Sequence, residues 1–357
     1  MNASLLRPGD PGWDRTLEAA AHDFYHLAAY VELEAARLGG DPVALLIEDG
    51  DHVALLPLVL RPLPPWLAAE SPAACDAVSP YGYPAPIFGG RWDGAGGGPS
   101  FGTAALAFRE ALAGIGVVSA FVRLHPLLPP APACLAPAGD IVEHGEIVWI
   151  DLTVPEAELW HQTRLSDRNR ISKMRRAGYE ARIDERWERF DAFLAVYEAT
   201  MRRVSATGDY FFGAPYFRRL REALGAGVSL CVVELEGEVT AAGLFTETCG
   251  IVQFHLSGTA DAHLRMAPTR LMLDHVRRWA RARGNRIFHL GGGVGGRADS
   301  LLEFKAGFSK LRAPFATWRI VPRPQEYAAA LARWASLGGP PAAEPDDFFP
   351  AYRRPLP

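Results

Sequence analysis

Lys305 is the residue whose type and setting most suggest catalytic chemistry. It lies in the apolar segment LLEFKAGFSK and directly follows Phe304. Burial penalises a charged ammonium, so a lysine in such surroundings either extends to solvent or reaches an anion. A carbonyl that becomes an oxyanion during acyl transfer is one such anion, and a positioned cation stabilises it. The sequence therefore supports two interpretations, a solvent-reaching lysine and a cation at a reacting carbonyl.

A run of glycines, GGGVGG from Gly291, precedes this lysine and follows the short apolar strand RIFHL. A Walker-type loop requires a lysine and a serine or threonine directly after its glycines, and a dinucleotide fingerprint requires spaced glycines at the start of a helix in a parallel sheet unit. The run has neither context. Its glycines instead allow a sharp turn or a close approach to a ligand. Asp299 or Ser300 is expected to cap a short helix that carries Lys305.

The densest positive charge lies in the segment RLSDRNRISKMRRAGYEAR. At about 100° per residue, Arg164, Arg168 and Arg175 fall in one narrow sector of a helix and form a cationic ridge. Arginine suits phosphate, so one interpretation is a phosphate-bearing partner. The other is a solvated helix face whose acidic partners lie on another element. Under the first interpretation the phosphate-binding residues are Arg164, Arg168, Arg170, Lys173, Arg175 and Arg176.

The loop VSPYGYPAPIFGG is rich in proline, glycine and tyrosine and has no charged residue. Tyr81 and Tyr83 offer flat faces and hydroxyl groups, which suit the wall of a small-molecule cleft. The same composition also suits a rigid packed turn. Both interpretations remain open at this point.

The segment IVQFHLSGT is expected to be a strand on which polar and apolar side chains alternate. Residues two apart on a strand seldom reach each other, so a nucleophile pair of Ser257 and His255 is not expected. His255 and His289 alone are too few ligands for zinc, and either histidine suits a hydrogen-bonded core position. Alternation places Gln253, His255 and Ser257 on one face and Phe254 and Leu256 on the other.

Composition limits the classes of function. The chain has 357 residues, 49% of them hydrophobic and 22% charged, as in a globular protein large enough for two domains. A formal net charge of −4 excludes a protein built as a whole to coat nucleic acid or anionic membrane. The four cysteines are far apart and lack metal-ligand spacing, which favours reduced thiols in the cytoplasm and no metal site. Neither a signal peptide nor a membrane span is expected.

The two halves of the chain repeat one arrangement of elements. Hairpin turns are predicted at the Asp-Gly pair 49–50 and at the Glu-Gly pair 236–237. An amphipathic helix follows each hairpin, a glycine ends the helix, and an apolar strand comes next. The fold class predicted from this pattern is α/β (α+β), with tandem domains of mixed sheets flanked by helices.

Domain boundaries are expected near proline- and glycine-rich segments. The predicted domains are residues 1–145, residues 146–320 with the FK pair, and residues 321–357, a C-terminal helix and proline-rich tail that packs back on the first domain. Between the halves, a helix is predicted from Thr153 as its N-cap to about Arg176.

Five segments follow one another in a familiar order: RNRISKMRRAGYE, YEATMRRVSATGDYFF, FHLSGT, APTRLMLDHVRRWA and FHLGGG…DSLLEFKAGFS. Together with the earlier loop SPYGYPAP, they resemble the Fem-type family, the GNAT-related transferases that use aminoacyl-tRNA. The similarity extends from about Trp149 to Ile320. It implies two tandem GNAT-like domains around a cleft, which agrees with the repeat of elements.

The resemblance implies a reaction in which an acceptor amine attacks the ester carbonyl of aminoacyl-tRNA and forms an amide. The lysine of the family's FK motif, which contacts the reacting carbonyl region or the tRNA end, corresponds to Lys305, with Phe304 before it. An arginine and tyrosines that recognise the acceptor correspond to the region of Arg202, Arg203 and Tyr210. The other expected substrate contacts are Tyr81, Tyr83, His255, Ser257 and Gly292.

The partners implied are aminoacyl-tRNA as co-substrate, without a further cofactor, and an amine acceptor that is a peptidoglycan precursor or a small biosynthetic metabolite. The expected protein is cytoplasmic and a monomer or weak oligomer. This chain lacks room for the helical insertion of the larger cell-wall members, which leaves the small metabolite as an equal alternative.

An acyl-CoA-dependent GNAT N-acyltransferase is the second hypothesis. Ordinary GNAT enzymes bind the CoA pyrophosphate on a loop of the form Arg/Gln-x-x-Gly-x-Gly/Ala at a helix N-terminus. The corresponding segment here is RMAPTR, from Arg265 to Arg270, which lacks both glycines. Pro268 also lacks an N–H to donate, so this segment disfavours CoA.

Overall fold

The computed structural model describes residues 1–68, 74–95, 98–205, 211–339 and 348–355. The chain forms two compact units. Unit 1 comprises Met1–His144 and Pro314–Pro357, and unit 2 comprises Gly145–Ala313. Each unit contains a mixed sheet with helices packed on it.

The strands follow in chain order. They are β1 (Asn2–Leu6), β2 (Asp41–Asp49), β3 (His52–Pro62), β4 (Cys75–Val78), β5 (Ile87–Gly89), β6 (Val117–Arg123), β7 (Asp140–Asp151), β8 (Glu180–Ile183), β9 (Val228–Leu235), β10 (Glu238–Thr248), β11 (Ile251–Thr259), β12 (Ile287–Gly292) and β13 (Arg312–Ile320).

The α-helices are distributed over both units. They are α1 (Pro11–Ala19), α2 (Ala28–Leu38), α3 (Pro65–Ala68), α4 (Phe101–Gly114), α5 (Glu156–Gln162), α6 (Leu165–Arg176), α7 (Phe190–Arg203), α8 (Ala214–Leu224), α9 (Thr269–Ala282), α10 (Ser300–Ala306) and α11 (Pro324–Ser336). In the described residues, no helix is long and apolar enough to cross a membrane.

The predicted repeat is present at the level of strand order. Unit 1 has the order β1-β2-β3-β4-β6-β13, with β5 beside β3, and unit 2 has the order β7-β12-β11-β10-β9-β8. Each sheet has one parallel pair, β4 with β6 and β11 with β12, and a long helix, α4 or α9, connects the members of that pair. Parallel neighbours require such a crossover. Both predicted hairpins, β2–β3 and β9–β10, form as expected.

Alternation along β2 explains why helices cover both faces of the unit 1 sheet. Val43 and Leu45 pack with Phe108 of α4 on one side. Ala44 packs with Trp13 of α1 on the other side. A strand that is apolar on both faces must be covered twice to bury its side chains. In unit 2, α6 and α9 supply the apolar core beside the sheet, and α7 packs against β10 and β11.

The predicted helix from Thr153 to Arg176 is wrong in its start and its continuity. The Thr153 hydroxyl donates to Asp151 Oδ1 at 2.6 Å, which makes a local turn instead of a cap. Pro155 precedes the first helical residue, and the chain is extended at Thr163 between α5 and α6. Thr163 accepts a hydrogen bond from Arg277 Nη1 at 2.9 Å, a tertiary contact that the local pattern did not reveal.

The predicted alternation along β11 is also wrong, because a β-bulge lies at His255. Phe254 pairs with Phe245, while Leu256 pairs with Leu244, the adjacent residue of β10. Adjacent residues of a strand point to opposite faces, so Phe254 and Leu256 do not share a face.

The C-terminal segment completes the hydrophobic core of unit 1. Trp334 of α11 and Tyr352 are buried with Leu63 and Val118. Tyr352 Oη lies 2.7 Å from Ser119 Oγ, so the last described segment is fixed by a polar contact as well as by apolar packing.

Candidate active site around Lys305

Lys305 is buried on α10. Only 7% of the residue is exposed. Its Nζ donates a hydrogen bond of 2.6 Å to the backbone oxygen of Gly292 and lies 5.9 Å from the ring centroid of Phe254. The ammonium therefore does not extend into bulk solvent. It lies where the glycine run leaves β12, beside an aromatic face of β11.

Burial changes the protonation of this lysine. Desolvation lowers the pKa of Lys305 from 10.5 to about 7, and the carboxylate of Asp299 opposes that shift. Burial acts to raise the pKa of Asp299, but hydrogen bonds from three backbone N–H groups outweigh it, and the pKa is lowered. The site therefore contains an ionised aspartate and, without a direct contact to it, a lysine that exchanges its proton near neutral pH.

Asp299 joins the glycine run to α10. As the N-cap predicted for this helix, it accepts from the backbone N–H of Leu301 and Leu302 at 3.0 and 2.9 Å. Its other oxygen accepts from Val294 N at 2.8 Å. At Gly293 a Cβ would lie 2.4 Å from Asp299 Oδ1, so only glycine lets the turn approach the cap. This turn places the Gly292 oxygen that receives Lys305.

Two other helices hold α10 in place. At its C-terminal end, Arg164 N, directly before α6, donates to Gly307 O at 2.7 Å. Asp167 of α6 is 2% exposed and accepts from Arg270 Nε of α9 at 2.5 Å. The Arg270 guanidinium lies 5.0 Å from the ring centroid of Phe304. A cation over an aromatic face adds attraction to the packing.

The sequence pattern does not identify Asp167 and Arg270 as site residues. In the sequence, Asp167 is an acid inside the basic segment RLSDRNRISKMRRAGYEAR, and Arg270 is the last residue of the segment RMAPTR. A single acid in the first turn of a basic helix was the available signal, since such a residue must pair or stay exposed.

The two candidates on β11 lie in different settings. His255 occupies the bulge and is half-buried. Ser257 pairs with Gly243, and a Cβ at Gly243 would lie 3.1 Å from Ser257 Cβ and 3.0 Å from Met272 Cε. Ser257 therefore borders the α9 face of the sheet. Among the predicted substrate contacts, Gly292 accepts a hydrogen bond from Lys305 directly.

The two tyrosine candidates lie in unit 1. The ring of Tyr83 packs edge-to-face against Phe315 at 5.4 Å and against Tyr25 at 5.9 Å. The backbone of Tyr81 accepts from Tyr30 Oη at 2.9 Å and donates to Glu34 Oε2 at 3.3 Å. The loop therefore has the contacts of a packed turn, with aromatic rings on its inner side.

The arginines predicted to bind the acceptor both have acidic neighbours. Arg202 Nη1 lies 3.5 Å from Glu198 Oε2, and both side chains are exposed. Arg203 forms an ion pair with Asp261 and also donates to Thr200 Oγ1 at 3.0 Å. Tyr210, the third predicted acceptor contact, lies outside the described residues.

The cationic ridge is partly neutralised by other elements. Arg175 Nη2 donates to buried Asp274 of α9 at 2.5 Å. Arg164 lies 3.8 Å from exposed Glu303, and Arg170 donates to the backbone oxygen of Arg265 at 3.2 Å. Arg168 is half-buried, and Lys173 and Arg176 are exposed.

A shallow surface depression of about 410 Å³ borders α10. Its lining includes Asp299, Glu303 and Arg312, whereas Lys305 and Phe304 do not contribute to it. The polar contacts of Lys305, more than this depression, define the candidate site.

Comparisons with known proteins agree with this architecture. The family model described as an acetyltransferase (GNAT) domain matches residues 161–305, the segment that ends at Lys305. No curated protein matches the sequence significantly.

Several solved structures share the fold. A structure of FemX has a TM-score of 0.64 at 12% identity, and the match covers 88% of this chain and 96% of that one. The C-terminal domain of a putative lysylphosphatidylglycerol synthetase from Agrobacterium fabrum has a TM-score of 0.55 at 16% identity, with 92% and 96% covered. A conserved protein of unknown function from Bacteroides thetaiotaomicron has a TM-score of 0.52 at 12% identity, with 84% and 90% covered. The resemblance found in the sequence is confirmed at the level of the fold.

Proposed function

We propose that this chain, a Fem-like GNAT protein by its fold, is an acyltransferase that transfers an aminoacyl group from aminoacyl-tRNA to an acceptor amine. The observation that carries the proposal is the buried lysine: Lys305 Nζ is fixed by Gly292 O on the unit that matches the GNAT domain model. Among the residues that the structure describes, no carboxylate contacts this ammonium, and a buried charge without such a partner is costly to retain for stability alone. It is suited to an anion that exists only during a reaction.

In the proposed reaction the amine nitrogen of the acceptor attacks the ester carbonyl of the donor. A C–N bond forms, the carbonyl oxygen becomes an oxyanion, and the protonated Lys305 stabilises that charge. The C–O ester bond then breaks and a ribose hydroxyl leaves. The proton that the amine loses balances the proton that the departing oxygen gains. Because the pKa of Lys305 is about 7, this group is also suited to deliver that proton.

The other residues take supporting roles in this proposal. Phe254, whose ring centroid lies 5.9 Å from Lys305 Nζ, supplies an apolar wall beside the lysine, and Phe304 packs against Arg270 and so fixes the helix that carries the lysine. Gly292 holds the ammonium in place when no donor is bound. The acceptor is a peptidoglycan precursor or a small metabolite with a free amine. Aminoacyl-tRNA is a cytoplasmic molecule, so we place the enzyme in the cytoplasm and require no further cofactor.

A second candidate function is N-acyl transfer from acyl-CoA, because the matching family model is described as an acetyltransferase. The start of α9 weakens it. Pro268 precedes this helix without a side-chain capping bond and has no N–H to offer a pyrophosphate. Ala267, the residue before Pro268, has a φ of 55°. The CoA loop pattern requires no particular residue type at this position.

Ribonuclease distinguishes the two functions. Total tRNA charged with a mixture of radiolabelled amino acids is incubated with the protein and an amine-containing metabolite fraction, and base-stable amide product is counted. We expect product that disappears after ribonuclease treatment and none from labelled acetyl-CoA. Product that survives ribonuclease, or that forms from acetyl-CoA alone, overturns the proposal.

Lys305→Ala tests the catalytic role in the same assay. We expect the rate to fall by about 100-fold or more, the usual loss when a group at an oxyanion is removed. Lys310→Ala is the matched control, because Lys310 is exposed and only five positions away. A Lys305→Ala variant with normal rate and normal folding contradicts the role.

A further inference from the structure

One buried carboxylate in unit 2 is surrounded by three guanidinium groups. Asp274 of α9 is 1% exposed and accepts from Arg175 Nη2 and Arg277 Nη2, each at 2.5 Å, and from Arg278 Nη2 at 2.9 Å. Three positive charges face the one negative charge of Asp274, and Glu156, 4.0 Å from Arg278, supplies a second negative charge, so one positive charge stays uncompensated among the described residues. Such an excess is unfavourable unless an anion meets it.

The three arginines differ in what they can reach. Arg277 is 1% exposed and also donates to Leu159 O and Thr163 Oγ1, each at 2.9 Å, so it joins α5 to α9. The side chains of Arg175 and Arg278 are 39% and 38% exposed. These two guanidiniums therefore each contact the buried carboxylate of Asp274, and their side chains remain partly exposed to solvent.

Further groups extend this cationic face. Arg175 lies 5.8 Å from the ring centroid of Trp160 on α5. Arg168 Nη1 lies 3.5 Å from His161 Nδ1, and Arg281 donates to Val154 O at 3.1 Å and is exposed. In the described part of unit 2, the one other acid paired with these arginines is Glu156, 4.0 Å from Arg278. The Asp274 patch consists of Trp160, Arg168, Arg175, Arg278 and Arg281.

We infer that the Asp274 patch binds the phosphate backbone of RNA; the identity of that RNA as the aminoacyl-tRNA donor rests on the proposed function. Arginine presents forked donors that match phosphate oxygens. Guanidiniums already held by Asp274 lose little further freedom when a phosphate binds. Trp160 offers a flat face for a base or ribose beside them.

RNA fits this patch better than an anionic membrane does. Binding to a membrane surface draws on large apolar side chains that enter the lipid interface. Among the described residues, α5 and α9 carry no exposed large apolar side chain, and α6 carries a single one, Leu165. Fixed guanidiniums also suit phosphates at fixed spacing better than a fluid layer of headgroups.

The inferred surface differs from the cationic ridge of α6. Of the six basic residues expected there, only Arg168 and Arg175 belong to the patch. Arg170 donates instead to Arg265 O. In place of the other four basic residues, the patch contains Arg278 and Arg281 of α9, which lie at least a hundred positions later in the sequence. Tertiary packing therefore moves the expected binding surface towards α5 and α9.

The test is binding of deacylated total tRNA, measured by fluorescence anisotropy over a range of salt concentrations. Arg168→Ala and Arg281→Ala remove cations that do not contact Asp274. We expect each variant to weaken binding by about threefold or more at low salt and to reduce the slope of log K against log salt by about 0.9, as one lost phosphate contact does. Arg219→Ala, an exposed arginine of α8, is the matched control and should bind as the parent does.

The outcomes separate this inference from the proposed function. Variants that bind tRNA with unchanged affinity and slope overturn the patch, even when transfer is sensitive to ribonuclease. Binding to phosphatidylglycerol vesicles that depends on Arg168 and Arg281, without tRNA binding, also overturns it. Conversely, patch-dependent tRNA binding by a protein whose acyl transfer ignores ribonuclease supports the patch and refutes the function.

Discussion

Lys305 combines a charge with a site that penalises charge. The helix that carries it has apolar neighbours on both sides of the lysine, and only the backbone oxygen of Gly292 accepts a hydrogen bond from Nζ in the described structure. A carbonyl dipole compensates a buried ammonium less than a carboxylate does. Loss of its proton, or contact with an anion, would therefore lower the free-energy cost of burying this lysine.

This penalty predicts a pH-dependent effect of Lys305→Met. The pKa of Lys305 is about 7 in the folded protein and 10.5 in its ordinary state, so the unfolded chain binds more protons between these values and stability rises with pH across that window. Below pH 7 both states are protonated and the full cost of the buried charge applies. The methionine variant should gain stability relative to the parent near pH 6, and this relative gain should shrink by about 3 kcal/mol by pH 9.

Urea unfolding at both pH values measures this difference. Lys310→Met, at an exposed position, should show a difference from the parent that does not change with pH. A stability difference for Lys305→Met that is constant from pH 6 to pH 9 would show that the ammonium is not desolvated in solution.

At the scale of elements, the position of α10 depends on a glycine that follows it. A Cβ at Gly307 would lie 2.1 Å from Asp167 Oδ2 and 3.1 Å from Phe304 O. The helix has only the residues Ser300–Ala306, so its own hydrogen bonds do not fix its place. The position of α10 is fixed by its close contact with α6.

Gly307→Ala should therefore displace α10 and lower stability by about 1–3 kcal/mol, the usual cost of inserting a group into a packed site. Transfer activity should fall as well, because Lys305 moves with the helix. The comparison is Gly114→Ala at the end of α4, where a Cβ meets nothing within 4 Å and alanine favours the helix. Unfolding curves and rates that are equal for Gly307→Ala and the parent would mean that α10 is not held by Asp167.

At the scale of the whole molecule, unit 1 is built from two distant parts of the chain. Residues of β13 pair with β6, from Thr317 opposite Arg123 to Ile320 opposite Ala120. Trp318, fully buried, belongs to the same core as Phe108. The core of unit 1 is therefore incomplete until the C-terminal segment is present.

A fragment of residues 1–144 should consequently fail to unfold cooperatively, because it lacks β13 and the buried Trp318 and Trp334. Adding the separate fragment 314–357 should restore a cooperative urea transition, and a mixture with Trp318→Ala in the second fragment should restore less of it. Near-native cooperative unfolding of residues 1–144 alone would contradict this account of the core.

Much of the fold followed from local sequence patterns. The hairpins at 49–50 and 236–237, the Asp299 cap and the helix–strand order of each half depend on neighbouring residues, whose turn chemistry and periodicity act within a few positions. Lys305 stood out for a similarly local reason, a charge within an apolar segment. These features are determined by short segments of the chain.

Only the tertiary structure decided the rest. The bulge at His255 arises from pairing with β10, and the break between α5 and α6 is fixed by Arg277, more than a hundred residues away. Asp274 gathers arginines from two helices, which no spacing along α6 could indicate. Contacts between residues distant in sequence set registers and ion pairs, because the energy of a buried charge or a strand pair depends on what packs against it and not on its neighbours in the chain.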